Sequence, residues 1–364
     1  MRAQVTGSAM FDRRRGSHSF TYGAELPVAV SGAKLSRHFS TLDRQLISIL
    51  QQDGRRTFAA IAREVGVPEK TVRRRVKELV DSGAIQITTV ADPRLFGFHM
   101  IAMIAITIDP GVPVTEVVGS FLDLEAVDYA VITTGRYNAL IEVLCRDSEE
   151  LLTFVDSELP ARPGIRSAEV LPYLDLHFQE PSWEAAQSKP RRAPRGPGLA
   201  LQPVDQQIMR VLHTDGRMPF AGVGQAVGLS ESQVRKRVSR LVDRQAMRIT
   251  AVVNPRHLGF DTVVWVAIKT TRERRASDVA EELTHLPFIT YVAITAGRFD
   301  ILAEAVCRTA EDVMRLVEHD FAQVEGLADT EVMFCLDLYY EAINLPGDSI
   351  AAAGAAIAEA HRPH

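Results

Sequence analysis

From Glu69 to Val80 the chain carries five basic residues, Lys70, Arg73, Arg74, Arg75 and Lys77, against the acidic Glu69 and Glu78, a local charge of +3 in a sequence whose formal net charge is −5. Clustered guanidinium and ammonium groups bind phosphate and pair with guanine edges. At the helical period Val72, Val76, Leu79 and Val80 fall at i, i+4, i+7 and i+8, one apolar stripe for a core. Arg73, Arg74 and Lys77 must then point elsewhere. A short helix with one buried face and one guanidinium-rich face is what reading a duplex from the major groove requires.

Such a helix needs neighbours to hold it. Order is expected to begin at Ser40-Thr41-Leu42-Asp43, where Ser40 and Asp43 have the spacing of a capping box. Leu42, Leu46, Ile49 and Leu50 supply the buried stripe of a first helix, and Asp53-Gly54-Arg55 ends it, with Gly54 expected in the left-handed conformation. Thr57 is placed to cap a second helix from about Phe58 to Val65, with Phe58, Ile61, Ala62 and Val65 inward. Gly66-Val67-Pro68 turns into the basic helix, which Asp81-Ser82-Gly83 stops. Three short helices with the basic face on the third make a helix-turn-helix. Beyond it the spacing predicts strands over Ile85 to Val90, Met100 to Ile108, Val127 to Thr133, Ala139 to Cys145 and Ser167 to Phe178, and helices over Val114 to Leu122 and Glu149 to Ser157. From Met100 onward that order is the βαββαβ pattern of a ferredoxin-like sandwich.

Composition bounds what this scaffold does. A hydrophobic fraction of 46% and a charged fraction of 24% are those of an ordinary soluble protein, and no apolar run approaches the roughly 20 residues that span a bilayer. We see no signal peptide and expect a cytoplasmic protein with no membrane partner. Cys145, Cys307 and Cys335 are too few and too scattered for a disulfide framework, and no histidine pair has metal-ligand spacing beside a carboxylate. No catalytic residue, metal or cofactor is assigned. Cys145 and Cys307 read as small buried hydrophobes.

The chain also repeats itself. Asp43 matches Asp205, Asp53-Gly54-Arg55 matches Asp215-Gly216-Arg217, Pro93-Arg94 matches Pro255-Arg256, Gly135-Arg136 matches Gly297-Arg298, and Leu174-Asp175-Leu176 matches Leu336-Asp337-Leu338. The offset is constant, 205 − 43 = 162 and 337 − 175 = 162. Roughly a third of aligned positions are identical without a gap, the mark of a tandem duplication. The expected fold class is α+β, with two repeats, each a winged-type three-helix helix-turn-helix followed by a ferredoxin-like effector domain. The expected divisions are a flexible tail 1–39, helix-turn-helix 40–84, connecting strand 85–98, effector domain 99–180, a Pro/Arg-rich linker 181–201, helix-turn-helix 202–246, connecting strand 247–260, effector domain 261–343 and a tail 344–364, in which 349–360 has the composition of a marginal helix.

In the second copy Ser230 with Gln233 makes a capping box where the first has Pro68. Val234, Val238, Leu241 and Val242 repeat the stripe, while Arg235, Lys236, Arg237 and Arg240 keep the other side basic. The copies differ at positions expected to face bases: Lys70 against Ser232, Thr71 against Gln233, Arg74 against Lys236, and Lys77 against Ser239. The site on DNA is therefore expected to be an imperfect palindrome or asymmetric.

On these residues the chain resembles the leucine-responsive and asparagine-responsive regulator family, Lrp/AsnC. The resemblance rests on Leu42-Asp43, Leu50, Asp53-Gly54-Arg55, Val65-Gly66-Val67, Val72 with Arg75-Val76, and Gly135-Arg136-Tyr137-Asn138. In the second copy it rests on Asp215-Gly216-Arg217, Val227-Gly228-Leu229-Ser230, Val234 with Arg237-Val238-Leu241, and Gly297-Arg298-Phe299-Asp300. Members usually have one such unit, and this chain resembles two fused. The resemblance implies a DNA-binding transcription regulator whose effector domains dimerise, assemble further and bind amino acids near the glycine turn. By that motif Gly135, Tyr137 and Asn138, and Gly297, Phe299 and Asp300, are the effector-binding candidates. Asn138 is neutral and cannot pair with an ammonium, which favours the second copy.

Two other readings remain open on the sequence. The architecture also resembles siroheme decarboxylases, paired or fused units acting on a tetrapyrrole. Against that, His99 and His177 have no histidine counterparts at 261 and 339, which are Asp261 and Tyr339, and His285 and His319 lie elsewhere. The other is an effector-binding scaffold without DNA binding. The copies are expected to pair as an internal pseudo-dimer that assembles further, or each with its counterpart in another chain.

Overall fold

The turn Asp53-Gly54-Arg55 shows how the molecule is built. Gly54 is not left-handed: its amide donates to the carbonyl of Ile249, 2.8 Å away in the other copy, and a Cβ there would lie 3.0 Å from that backbone. Gly216 does the same to Ile87, with 2.7 Å from nitrogen to oxygen and only 2.8 Å for an added Cβ. The expectation that Gly54 closes a helix is therefore corrected. Glycine stands here because another chain segment lies against it, the second reason for glycine in a turn.

This computed structural model describes residues 39–122, 124–179, 201–244, 246–253 and 260–340. Almost all of the expected tails and linker, the 349–360 helix and the Pro255-Arg256 turn lie outside them. The first copy runs α1 (Thr41–Gln52), α2 (Phe58–Val65), α3 (Glu69–Asp81), β1 (Ile85–Ala91), β2 (Met100–Ile108), α4 (Val114–Gly119), β3 (Val127–Thr133), β4 (Ala139–Cys145), α5 (Ser148–Thr153) and β5 (Ile165–Gln179). The second runs α6 (Pro203–Thr214), α7 (Phe220–Val227), α8 (Glu231–Asp243), β6 (Met247–Val253), β7 (Thr262–Thr270), α9 (Ala276–Leu283), β8 (Ile289–Thr295), β9 (Ile301–Cys307), α10 (Ala310–Arg315) and β10 (Leu327–Tyr340). The mixed helix and sheet fold has the expected βαββαβ order in both copies. Expected helix 114–122 ends early at Gly119, and α5 continues as a π-helical turn over Phe154–Glu158.

Local chemistry accounts for the helix ends. Ser40 and Asp43 form the capping box on α1, Thr57 accepts from the Ala60 amide at 3.2 Å, and Gly66 closes α2 at φ 70°. Val72, Val76 and Leu79 are buried on α3, as are Val234, Val238 and Leu241 on α8. Val80 and Val242 are 42% exposed, which corrects their place in the stripe. At about 100° per residue, position i+8 stands roughly 80° from i, on the shoulder of a face that i+4 and i+7 keep narrow.

The copies pair with each other within the chain. Strand β1 lies antiparallel to β6, with Thr88 opposite Thr250, so the strand after each helix trio finds its partner in the other copy. The other eight strands close a ring in the order β10-β3-β4-β2-β5-β8-β9-β7. The first part of β5 pairs with β2 of its own copy, and from Tyr173 onward it pairs with β8 of the other; β10 likewise passes from β7 to β3. Period-two alternation divides the strands. Ala102, Ile104 and Ile106 pack outward under α4 and α5 with Phe121 and Phe154, while Ile101, Met103 and Ala105 face the shared interior. Among the described residues no helix is long and apolar enough to cross a membrane.

Candidate nucleic-acid and effector sites

On α3, Arg73, Arg74 and Lys77 project into solvent with side chains 63%, 64% and 74% exposed. Each is tethered one turn away: Arg73 to Glu69 at 2.8 Å, Arg74 to Glu78 at 2.7 Å and Lys77 to Asp81 at 2.6 Å. Exposed i,i+4 pairs contribute only about 0.3–0.5 kcal/mol, so phosphate can readily replace the carboxylate. Lys70 is exposed and Thr71 half-buried. On α8, Ser232, Arg235 and Lys236 are exposed, and with Ser239, Arg240, Asp243 and Arg244 they line an open groove. Arg235 is tethered to Glu231. Gln233 is engaged in the cap, its side-chain oxygen accepting from the Ser230 amide at 2.9 Å, which leaves only its NH2 for a base.

Three of the arginines expected on DNA bind buried carboxylates within the fold. Arg75 grips Asp43 with Nε at 2.5 Å and Nη2 at 2.7 Å, and also reaches Glu78. In the second copy Asp205 accepts from Arg237 at 2.8 Å and from Arg240 at 2.7 Å. Both aspartates are wholly buried. Burial alone would raise the Asp43 carboxyl, but bonds from Arg75 and Ser40 outweigh it and hold it below its ordinary value. Arg75, Arg237 and Arg240 thus fasten the third helix of each trio to the first, a task that their residue type alone does not reveal.

The same holds for the effector candidates. Gly135 (φ 103°) and Gly297 (φ 124°) lie at the seam between copies, where a Cβ would meet Met333 and Leu171. The neighbouring Thr134 amide donates to Phe334 and the Ala296 amide to Pro172, across the seam. Tyr137 and Phe299 are buried; the Tyr137 hydroxyl donates to Glu169 at 2.5 Å, and burial followed by that carboxylate raises its pKa. Asn138 accepts from the Ile108 amide, and Asp300 from the equivalent Thr270 amide, both at 2.8 Å. Lys269 sits 2.7 Å from Asp300. The acidic charge expected to meet an effector ammonium is thus already paired with a lysine of its own chain. Arg136 crosses the seam to Glu331.

A further cluster escaped the sequence reading. Inside the ring Glu142 accepts from Tyr173 at 2.7 Å and from Tyr291 at 2.8 Å, while Glu304 accepts from Thr290 at 2.7 Å and from Tyr129 at 3.3 Å. Trp265 Nε1 donates to the Tyr129 hydroxyl at 2.7 Å. The signal was present, because an acid stands at the centre of two otherwise apolar strands, β4 and β9, at the repeat offset of 162 (304 − 142). Burial pushes the Glu304 carboxyl up to about 7 and raises Glu142 as well. Cys145 and Cys307 are buried with thiols pushed up to about 12, inert at neutral pH.

Comparison with known proteins follows the same division. A model described as the AsnC-type helix-turn-helix domain matches residues 40–80 and 201–242, and one described as the Lrp/AsnC ligand binding domain matches 101–183 and 262–345. An HTH-type transcriptional regulator of Pyrococcus furiosus is 36% identical over 129 residues, 35% of this chain and 86% of its own length. The HTH-type transcriptional regulator FL11 of the same organism is 29% identical over 147 residues, 40% of this chain and 96% of its own. Among solved structures, the siroheme decarboxylase NirDL with an iron-uroporphyrin III analogue aligns with a TM-score of 0.54 at 17% identity, covering 84% of this chain and 96% of that one. That last likeness is one of fold.

Proposed function

Because the chain belongs to the Lrp/AsnC family of helix-turn-helix transcriptional regulators, as a tandem duplicate, we propose that it reads an asymmetric DNA site with α3 and α8 and that a small effector such as an amino acid tunes the reading. The observation that carries this is the division of faces kept by both copies: three inward aliphatic residues, and exposed cations whose carboxylate partners lie at the surface. Arg73, Arg74, Lys77 and Lys70 serve one half-site; Arg235, Lys236, Ser232 and the Gln233 amide serve the other. Regulators named as such match one copy's length, which supports a regulator without enzymatic chemistry rather than a decarboxylase or a DNA-free scaffold.

A binding selection followed by footprinting tests this. An imperfect palindrome is expected, and a perfect one counts against unequal half-sites. Replacing Arg73, Arg74 and Lys77 together by alanine should abolish protection over one half only. It should also flatten the dependence of log affinity on log salt by about 0.9 for each phosphate that is no longer neutralised. An unchanged slope and footprint would make α3 structural.

The effector reading rests on the ligand-binding domain match and on the charged groups around the seam turns, Lys269 with Asp300 and Arg136 with Glu331. Amino acids titrated at about a hundredfold over their dissociation constant should stabilise the protein by about 2.7 kcal/mol, with a smaller melting shift in Asp300→Ala. A full panel with no shift removes effector sensing and leaves DNA binding untouched. Whole chains are expected to assemble further, which light scattering on the same samples reads as a mass above one 40.2 kDa chain.

A further inference from the structure

The two arginines of the repeated Asp-Gly-Arg turns have no part in the DNA contacts proposed above, yet each reaches into the other copy. Arg55 Nη1 donates to the carbonyls of Gly216 at 2.7 Å and Met218 at 3.0 Å, and its guanidinium lies 4.0 Å over the Phe220 ring. Arg217 Nη1 donates to Gly54 at 2.7 Å and Arg56 at 3.2 Å, and lies 4.2 Å over Phe58. Those rings open α2 and α7, and each also faces a cation from its own third helix: Arg73 is 4.9 Å from Phe58 and Arg235 is 5.1 Å from Phe220. Each ring therefore links a DNA-facing arginine to an arginine of the opposite copy.

We propose that Arg55 and Arg217 are positioning residues that hold α3 and α8 at one separation and one relative rotation, so that the chain accepts its two half-sites at a single spacing. This rests on the DNA reading above. A guanidinium is a planar fork that meets two carbonyls and an aromatic face together; an ammonium keeps the charge but not that geometry. The joint has other ties, namely the β1–β6 ladder and the reciprocal bonds from Thr88 to the His213 carbonyl at 2.7 Å and from Thr250 to the Gln51 carbonyl at 2.8 Å. Removing the clasp should loosen the angle between the trios while leaving the chain folded.

The test uses the full chain with both Arg55→Lys and Arg217→Lys. Spin labels at Lys70→Cys and Ser232→Cys, exposed positions on the two helices, report the distance between them by pulsed electron resonance; the three native cysteines are buried. A narrow distribution is expected without the lysine changes and a broad one with them. In parallel, operators are lengthened between half-sites one base pair at a time, each step rotating one half-site by about 34°. One inserted pair should weaken wild-type binding about tenfold, comparable to a mismatched pair, and weaken the double variant no more than about threefold, with affinity for a single half-site unchanged in both. Retention of the narrow distance, or of the sharp spacing preference, overturns the positioning role. A broadened distance together with no wild-type binding at any spacing supports that role and removes the DNA reading instead.

Discussion

Replacing Arg75 with alanine should lower the unfolding free energy by about 3–5 kcal/mol, whereas Arg74→Ala, one residue away, should cost less than about 0.5 kcal/mol. Both side chains are arginines on the same helix, each with a carboxylate partner. The difference is where that partner sits. Asp43 is wholly buried and receives both Nε and Nη2 of Arg75, so removing the guanidinium leaves a desolvated carboxylate that keeps its bonds from Ser40. Glu78, the partner of Arg74, is 43% exposed: its Oε1 returns to water while its Oε2 keeps Arg75. Urea unfolding of the two variants measures the contrast, and equal losses would reduce the Asp43 pair to a surface contact. DNA affinity should rank the other way, with Arg74→Ala weaker in binding at unchanged stability. Acid tests the same pair. With its folded value depressed below 3.8, Asp43 contributes stability that is present above that ordinary value and lost as pH falls through the folded one, so the gap between wild type and Arg75→Ala should close in acid.

Glu304→Gln should stabilise the protein relative to wild type by on the order of 3 kcal/mol at pH 8, and by little at pH 4. Burial raises the Glu304 carboxyl from 4.5 to about 7, against the opposing pull of bonds from Thr290 and Tyr129. Below about 4.5 the acid is neutral both folded and unfolded, and its contribution is fully present. As pH rises toward 7 the unfolded chain ionises first, so stability falls, and the loss is complete once pH has passed the folded value. At about 1.36 kcal/mol per unit of pKa, a rise of that size gives the magnitude stated. The amide cannot ionise, and the pH slope attributable to position 304 should vanish with it. Thermal or urea unfolding across pH 4 to 8 gives the comparison; parallel pH profiles for wild type and variant would show that Glu304 ionises freely in the folded protein. Because Tyr129 of one copy bonds Glu304 of the other, and Tyr291 bonds Glu142 in return, the strain falls on the joint between copies.

Features that depend on neighbours within a turn or two were legible in a single stretch of chain. The cap at Thr57 and the glycine at Gly66 bracket α2 at Phe58–Val65, as the spacing predicts. Strands β3 and β4 also start and stop where apolar runs meet turn residues. Misreadings came where a residue's meaning depends on something distant. Gly54 looked like a helix terminator and instead makes room for Ile249. Nor does the sequence show that Asp300, a candidate partner for an effector ammonium, holds Lys269 and the Thr270 amide.

By itself the sequence determined the two helix trios, the two βαββαβ domains and their duplication, since periodicity, caps and a constant offset are all written locally. It could not tell Arg74, at the surface, from Arg75, locked onto a buried aspartate 32 residues earlier. Nor could it choose between pairing within the chain and between chains. The tertiary structure decided both, because they turn on which groups lose water together when segments distant in sequence, 32 residues apart for Arg75 and Asp43 and 161 for Arg55 and Gly216, close against each other, and desolvation depends on the partner brought near rather than on residue type.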